Sequence, residues 1–323
     1  MFRRLFILRL CISLFGCGSI DKIKNSMSSD EDNSTSPSPL TNVSQRLTVL
    51  KLWSRDIGDG SDEKYLKLTP VLASERVYIA ENGGDLYALD SNTGRVIWDV
   101  DTDRPLTGGP GASGSSILVG TQEGGLLAFD PISGEQLWLS ELTSEVLSKP
   151  NAANGIVVVR TIDGKLFGLN ESSGVRIWVY DRQVPSLTLR GTSNPVIDSG
   201  LVFTGFDGGK LAAIELGTGK LIWETRIAQA RGANELDRMV DIDAEPIIDA
   251  GTIFVSTFQG NVAAVDAESG RIQWLREISS HAGLSVNDDY VFVSDDQSNI
   301  WALDRFTGNS IWKQEKLLAR AIT

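Results

Sequence analysis

The chain has 323 residues, 41% of them hydrophobic, with 32 glycines against 10 prolines and a formal net charge of −12. Such an apolar share can fill a core, and the glycine-rich balance suits a fold with many tight turns. The acidity, with a pI near 4.7, argues against nucleic acid as the main partner, because phosphate binding needs a basic surface.

The segment 1–16 reads as a signal peptide. Met1-Phe2-Arg3-Arg4 is a short basic start, and residues 5–16 are an apolar stretch too short to span a bilayer as a permanent helix. The stretch ends in Leu14-Phe15-Gly16-Cys17, which resembles a bacterial lipobox. That resemblance implies cleavage before Cys17 and lipid on its thiol; an ordinary secretory signal with an incidental cysteine is the alternative. Cys11 would leave with the signal, so no free thiol would remain for a disulfide, a metal site or a nucleophile. In lipoproteins of this kind an Asp after the cysteine favours inner-membrane retention. The residue here is Gly18, which points to the outer membrane with the protein facing the periplasm. Residues 17–46 are expected to be the lipidated N-terminus and a flexible tether, since Ser, Asn, Asp and Pro dominate and Ser34-Thr35-Ser36-Pro37-Ser38-Pro39 lies at the centre. Residues 47–323 are the expected folded domain.

From there a repeat governs the chain. Six times an acidic or amide residue sits four positions before a glycine that itself sits four before a tryptophan: Asp90/Gly94/Trp98, Asp130/Gly134/Trp138, Asn170/Gly174/Trp178, Glu215/Gly219/Trp223, Asp266/Gly270/Trp274 and Asp304/Gly308/Trp312. Successive tryptophans recur at intervals of 40, 40, 45, 51 and 38, the period of a radial or stacked repeat fold. Pro70, Pro110, Pro150, Pro195 and Pro246 each precede their unit's tryptophan by the same interval, and Leu284 takes that place in the sixth. Each unit therefore has a fixed interior. Four short extended segments fit inside it, as in Pro70–Leu72, Arg76–Ala80, Asp85–Leu89 and Arg95–Trp98, β-branched and aromatic and bounded by turn residues. The Asp-x-Thr/Ser-Gly turn joins the third to the fourth, and the tryptophan ring is expected to pack between neighbouring units. Four strands per unit of about 40 residues predict an all-β fold, a β-propeller of four-stranded blades.

Several motifs invite chemistry that their context does not support. Asp56-Ile57-Gly58-Asp59-Gly60-Ser61-Asp62-Glu63 is acidic, but Gly58 and Gly60 break the ligand alternation of a calcium loop, and a solvated loop is expected. Gly109-Pro110-Gly111-Ala112-Ser113-Gly114 matches a dinucleotide fingerprint, yet the repeat places it across a strand and turn, with a strand following where a helix is required. His281 is the chain's one histidine, so a site built on several histidines is excluded, as is a Ser-His-Asp arrangement lacking its partners. It is read as a surface residue.

The connectors between units are unequal. From each tryptophan to the next opening position their lengths are 17 (from Trp53), 12, 12, 17, 23 and 10. Long loops on a rigid scaffold are where function tends to sit, and the adjacent 17 and 23 should emerge side by side. The first carries Pro185-Ser186-Leu187-Thr188-Leu189-Arg190-Gly191, in which Leu187 and Leu189 share one side if extended. These residues are either anchors of a protein interface or leucines buried under the loop with Arg190 paired to a neighbouring acid. The second carries 235–245, where alternation puts Asp241 and Asp243 on one face. They either hold Arg190, meet a basic partner surface, or are solvated, the default for acidic loop residues.

The repeat resembles the quinone-type (PQQ-like) propeller repeat: its tryptophan follows an A-L-D-x-x-T-G turn, and the Gly-His and Trp-Asp marks of WD40 repeats are absent. Within that group the lipobox, PSLTLRG at 185–191 and DRMVDIDAEP at 237–246 together are similar to the BamB family, lipoproteins of the outer-membrane β-barrel assembly machinery. The resemblance runs from about Leu50 to the C-terminus. It implies an eight-bladed, non-enzymatic scaffold without cofactor or metal, which binds the periplasmic POTRA region of BamA and assists insertion of barrel proteins into the outer membrane. It also implies partner-binding roles for Leu187, Leu189, Arg190, Asp241 and Asp243. Two other classes compete: a quinoprotein dehydrogenase sharing the repeat, whose usual length, vicinal disulfide and calcium-binding acids are not visible here, and a generic periplasmic interaction propeller.

Trp53 occupies the tryptophan position of a unit whose earlier strands do not precede it. The expected domain is therefore six complete blades plus an orphan N-terminal strand, about two blades short of the family pattern. The next opening proline would fall at 324, so the chain is expected to be truncated at its C-terminus.

Overall fold

The computed structural model describes residues 37–40, 47–58, 64, 66–182, 193–229 and 239–320. Among them every regular element is a strand, and the strands form six four-stranded antiparallel sheets. Each sheet is one sequence unit: residues 71–101, 106–141, 151–180, 196–226, 247–276 and 284–314, here blades 1 to 6. Within each blade consecutive strands pair with their neighbours in order. Blade 1 runs Val71–Ala73, Arg76–Ala80, Asp85–Asp90 and Val96–Asp101, within a few residues of the segments expected from its pattern. The opening strands of successive blades touch one another, which puts them around a common axis.

The third and fourth strands show why the recurrent turn has its composition. Opposite each tryptophan stands a very small residue: Ala88, Ala128, Gly168, Ala213, Ala264 and Ala302 pair with Trp98, Trp138, Trp178, Trp223, Trp274 and Trp312. In all six blades the register slips by one immediately after that pair, a bulge that bends the strand into the turn. The next side chain, such as Leu89, Phe129 or Leu169, is fully buried. The acid that follows closes the turn. Asp90 Oδ1 accepts from the amides of Asn92 and Thr93, at 3.2 and 2.8 Å, and from the Thr93 hydroxyl at 2.6 Å. Asp130, Asp266 and Asp304 repeat the pattern, and these hydrogen bonds hold all four carboxyls below their ordinary pKa.

The glycine ends the turn and receives the preceding tryptophan. Gly174 has φ +70, and a Cβ there would lie 2.6 Å from Cε3 of Trp138. The Trp138 indole then donates to the Glu171 carbonyl at 2.8 Å. Trp53, Trp98, Trp178, Trp223 and Trp274 make the same contact with Ser91, Pro131, Leu216, Ala267 and Arg305, the residue after the turn acid each time. The predicted packing of tryptophan between blades is thus a ring laid on the next blade's glycine and a hydrogen bond to its turn. Trp53 performs it for blade 1 without belonging to a strand. Trp312 lies against Phe292 of its own blade and stays 46% exposed.

Among the described residues the core is divided accordingly into five clusters, one between each pair of successive blades. The first joins Tyr78, Leu86 and Trp98 to Leu106, Ile117 and Phe129, and the last joins Phe254, Val262 and Trp274 to Val291 and Leu303. Each fully buried aliphatic or aromatic side chain contributes roughly 1.5–3 kcal/mol of transfer free energy, so the blade joints carry the stability of the domain. The dinucleotide-like string lies in and after the strand Leu106–Ala112, and the strand Ile117–Thr121 follows. Its glycines serve close packing: a Cβ on Gly111 would sit 2.0 Å from the Pro150 carbonyl oxygen of blade 3. The acidic run passes outside the described residues from position 59.

Candidate functional site

Residues 183–192 and 230–238, the outer parts of the two long connectors, lie outside the described residues; Leu187, Leu189 and Arg190 fall there, and Cys17 is likewise outside. What is described is where both connectors return to the scaffold. The first re-enters at Ser193 and Asn194, the second along residues 239–246.

The second return is buried. Val240, Ile242 and Ala244 pack inward, with Val240 and Ile242 lying over Gly209 and Gly205 of blade 4. Asp241 and Asp243 are 2% and 8% exposed. Solvation, the default expected for this pair, is not what the fold provides. Residue 241 bridges Asp207 in antiparallel fashion. Its carboxylate accepts from the Gly208 amide at 3.0 Å, and its carbonyl accepts from the Phe258 amide of blade 5 at 3.0 Å. The segment is thereby sewn to blades 4 and 5 at once.

Beneath it lies a charge cluster that the sequence did not announce. Arg160, the last residue of the second strand of blade 3, is 1% exposed. Its guanidinium donates to the Gly205 carbonyl at 2.9 Å, pairs with Asp207 at 3.1 Å and lies 4.9 Å from the centre of the Phe206 ring. Asp243 has a buried Oδ1 with no hydrogen-bond partner, and its pKa is pushed up to about 6. Burial is the main cause and the neighbouring Asp241 the second, against which Lys67 and Arg160 pull it down. Nothing in the local sequence distinguishes Arg160 from a surface arginine; only the pairing of blades 3 and 4 buries it.

Above the cluster the axis opens into a cavity of about 340 Å³. One residue from each blade lines it, directly before the blade's opening position: Thr69, Gly109, Lys149, Asn194, Glu245 and Gly283. The recurrent proline was the available signal. A residue before proline is held extended, so this position is set alike in five of the six blades. His281 sits at the surface, 3.1 Å from Asp296 and edge-on to Phe258.

Blades built on an acid-glycine-tryptophan clasp, with the return of the connector from the fourth to the fifth buried between them, define a PQQ-like-repeat β-propeller. The family model of the outer membrane protein assembly factor BamB matches residues 82–314. The outer membrane protein assembly factor BamB of Pseudomonas aeruginosa is 44% identical over 317 residues, 98% of this chain and 81% of the relative. Its counterpart in Escherichia coli is 34% identical over 308 residues, 92% and 79% of the two chains. The crystal structure of BamB from Moraxella catarrhalis superposes with a TM-score of 0.73 at 29% identity, covering 77% of this chain and 76% of that one. A quinohemoprotein alcohol dehydrogenase from Comamonas testosteroni shares the fold at 13% identity and a TM-score of 0.59, covering 77% and 60%. The chain belongs to the BamB family of outer membrane protein assembly factors.

Proposed function

We propose that this chain is a non-enzymatic scaffold of the outer-membrane β-barrel assembly machinery, which binds the periplasmic POTRA region of BamA and assists insertion of barrel proteins. In this reading residues 1–16 are the signal, Cys17 carries the lipid, residues 17–46 are the tether, and the propeller faces the periplasm from the outer membrane. Family membership supports the assembly role. The observation that carries the partner site is the common root of the two long adjacent connectors: the Ser193 hydroxyl donates to the Ala244 carbonyl at 2.9 Å and accepts from the Gly205 amide at 3.1 Å. In this reading the connector that carries Leu187, Leu189 and Arg190 and the connector that carries 235–245 act together, since both return to the scaffold at this one root. Arg is favoured at the centre of such surfaces. Asp241 and Asp243, being buried, support that surface from below.

The test is co-purification of the POTRA region of BamA with the lipidated protein and with Arg190→Ala. The variant should stay folded and recover less BamA; undiminished recovery by a folded variant would sink the assignment. Quinone absorbance in the purified wild type would favour the dehydrogenase-like alternative.

A further inference from the structure

Beside the Ser193 to Ala244 bond, the same two roots are joined through three side chains from three blades. Asn194 Nδ2 donates to Glu245 Oε2 at 2.8 Å. The Lys149 ammonium reaches Glu245 at 2.9 Å, and the Lys149 amide donates to Asn194 Oδ1 at 2.7 Å. Lys149, Asn194 and Glu245 thus close a triangle at the mouth of the axial cavity. Each stands directly before its blade's opening proline, so the backbone beneath each is already confined to extended geometry. Asn194 lies just beyond 183–192, and Glu245 is the last connector residue before blade 5.

We propose that the Lys149–Asn194–Glu245 triangle is a positioning device that fixes the two connectors relative to each other, so that they meet the partner as one platform. The inference rests on the partner-binding reading above and adds to it three residues at the roots of the loops. Two features separate positioning from general stability. The Lys149 and Glu245 side chains are 32% and 39% exposed, and ion pairs that exposed add little to folding. The blades on either side are meanwhile held by their own buried clusters. Losing the triangle should therefore leave the propeller folded while freeing the loop roots, and binding would then have to order them again. Glu245 is the informative position, because its carboxylate takes both the Lys149 ammonium and the Asn194 side-chain amide.

The experiment uses the full chain with Glu245→Ala and Glu245→Gln, measuring affinity for the POTRA region of BamA, melting temperature and amide hydrogen exchange. Glu245→Ala should lose roughly three- to tenfold in affinity, the scale of immobilising one or two freed side chains. Its melting temperature should change by less than about 3 °C, the effect of about 1 kcal/mol in a domain of this size. Exchange should quicken in 193–196 and 239–246 and nowhere else. Glu245→Gln keeps an acceptor for Asn194 and should recover most of the lost affinity. Wild-type affinity and exchange in Glu245→Ala would overturn the proposal, as would a large melting shift with faster exchange across all blades. If the wild type itself does not bind the POTRA region, the partner reading fails; the exchange pattern alone then decides the triangle, unchanged exchange overturning it and faster exchange confined to the two roots upholding it.

Discussion

Replacing Asp243 by Asn separates the cost of a buried charge from everything else the side chain does. Its carboxyl titrates at about 6 in the fold against an ordinary value of 3.8, a difference worth about 3 kcal/mol. For an acid whose pKa is raised by folding the sign is the reverse of the usual one. The native state binds the proton more tightly, so this group's contribution is most favourable below 3.8 and declines as pH rises from there through about 6. Asn cannot ionise. Subtracting wild type from Asp243→Asn should therefore give a stability difference that grows by about 2.5 kcal/mol between pH 4 and pH 7.5, most of the roughly 3 kcal/mol that develops in full from pH 3 upward. In a domain of this size that corresponds to a melting-temperature gain of about 5–10 °C at neutral pH relative to pH 4. Thermal unfolding of both proteins at half-unit pH steps reads it directly, and any constant offset reports the new amide's packing. A difference independent of pH would refute the burial argument. A difference of opposite slope would mean that Lys67 and Arg160 hold the ionised carboxylate more strongly than burial opposes it.

The recurrent turn supplies two more tests. Gly174→Ala must place a methyl on the Trp138 ring at a positive φ, costing about 1–2 kcal/mol in backbone and about 1–3 kcal/mol more for displacing the ring. Gly155→Ala has a similar φ of +76 but open space around its Cβ, so it should bear the backbone cost alone, and equal melting temperatures for the two variants would contradict the ring contact. The carboxyls of Asp90, Asp130, Asp266 and Asp304 are held below 3.8 by their turn hydrogen bonds. Their contribution is in place above 3.8 and is lost as pH falls through the depressed values. Carboxyl NMR titration should show midpoints below 3.8 for all four; midpoints at or above the ordinary value would contradict the turn geometry.

The fold was legible because its determinants are local and repeated. An acid, a glycine and a tryptophan at fixed spacing state the bulge, the turn and the blade joint together, and six copies average out the variation in any one. The glycines of 109–114 read as strand and turn from the repeat alone, whereas their close approach to blade 3 shows only in three dimensions. The shared root of the two connectors was legible in outline, since their adjacency in the sequence put 185–191 and 235–245 on neighbouring blades. Its chemistry was not. Acidic residues in a connector read as solvated unless something buries them. What buries Asp241 and Asp243 is the inner edge of blade 4 together with Arg160, which belongs to another blade and stands far off in sequence. Lys149, Asn194 and Glu245 were hidden for a related reason: each is an ordinary polar residue before a proline, and only the ring brings them together.

The tryptophan clasp between blades does not pass through the connectors. From Trp53 to Trp274, each tryptophan reaches the next turn across space, so the shortest connector and the longest deliver their blades to the same contact. The length of a connector is therefore released from making that clasp, and only the part that packs back on the scaffold, such as Val240, Ile242 and Ala244, is held to a composition by the blades beneath it. A head-to-tail joint that is indifferent to the covalent link lets the scaffold stay constant while its recognition loops diverge, and lets one repeat be copied beside another without redesign of either.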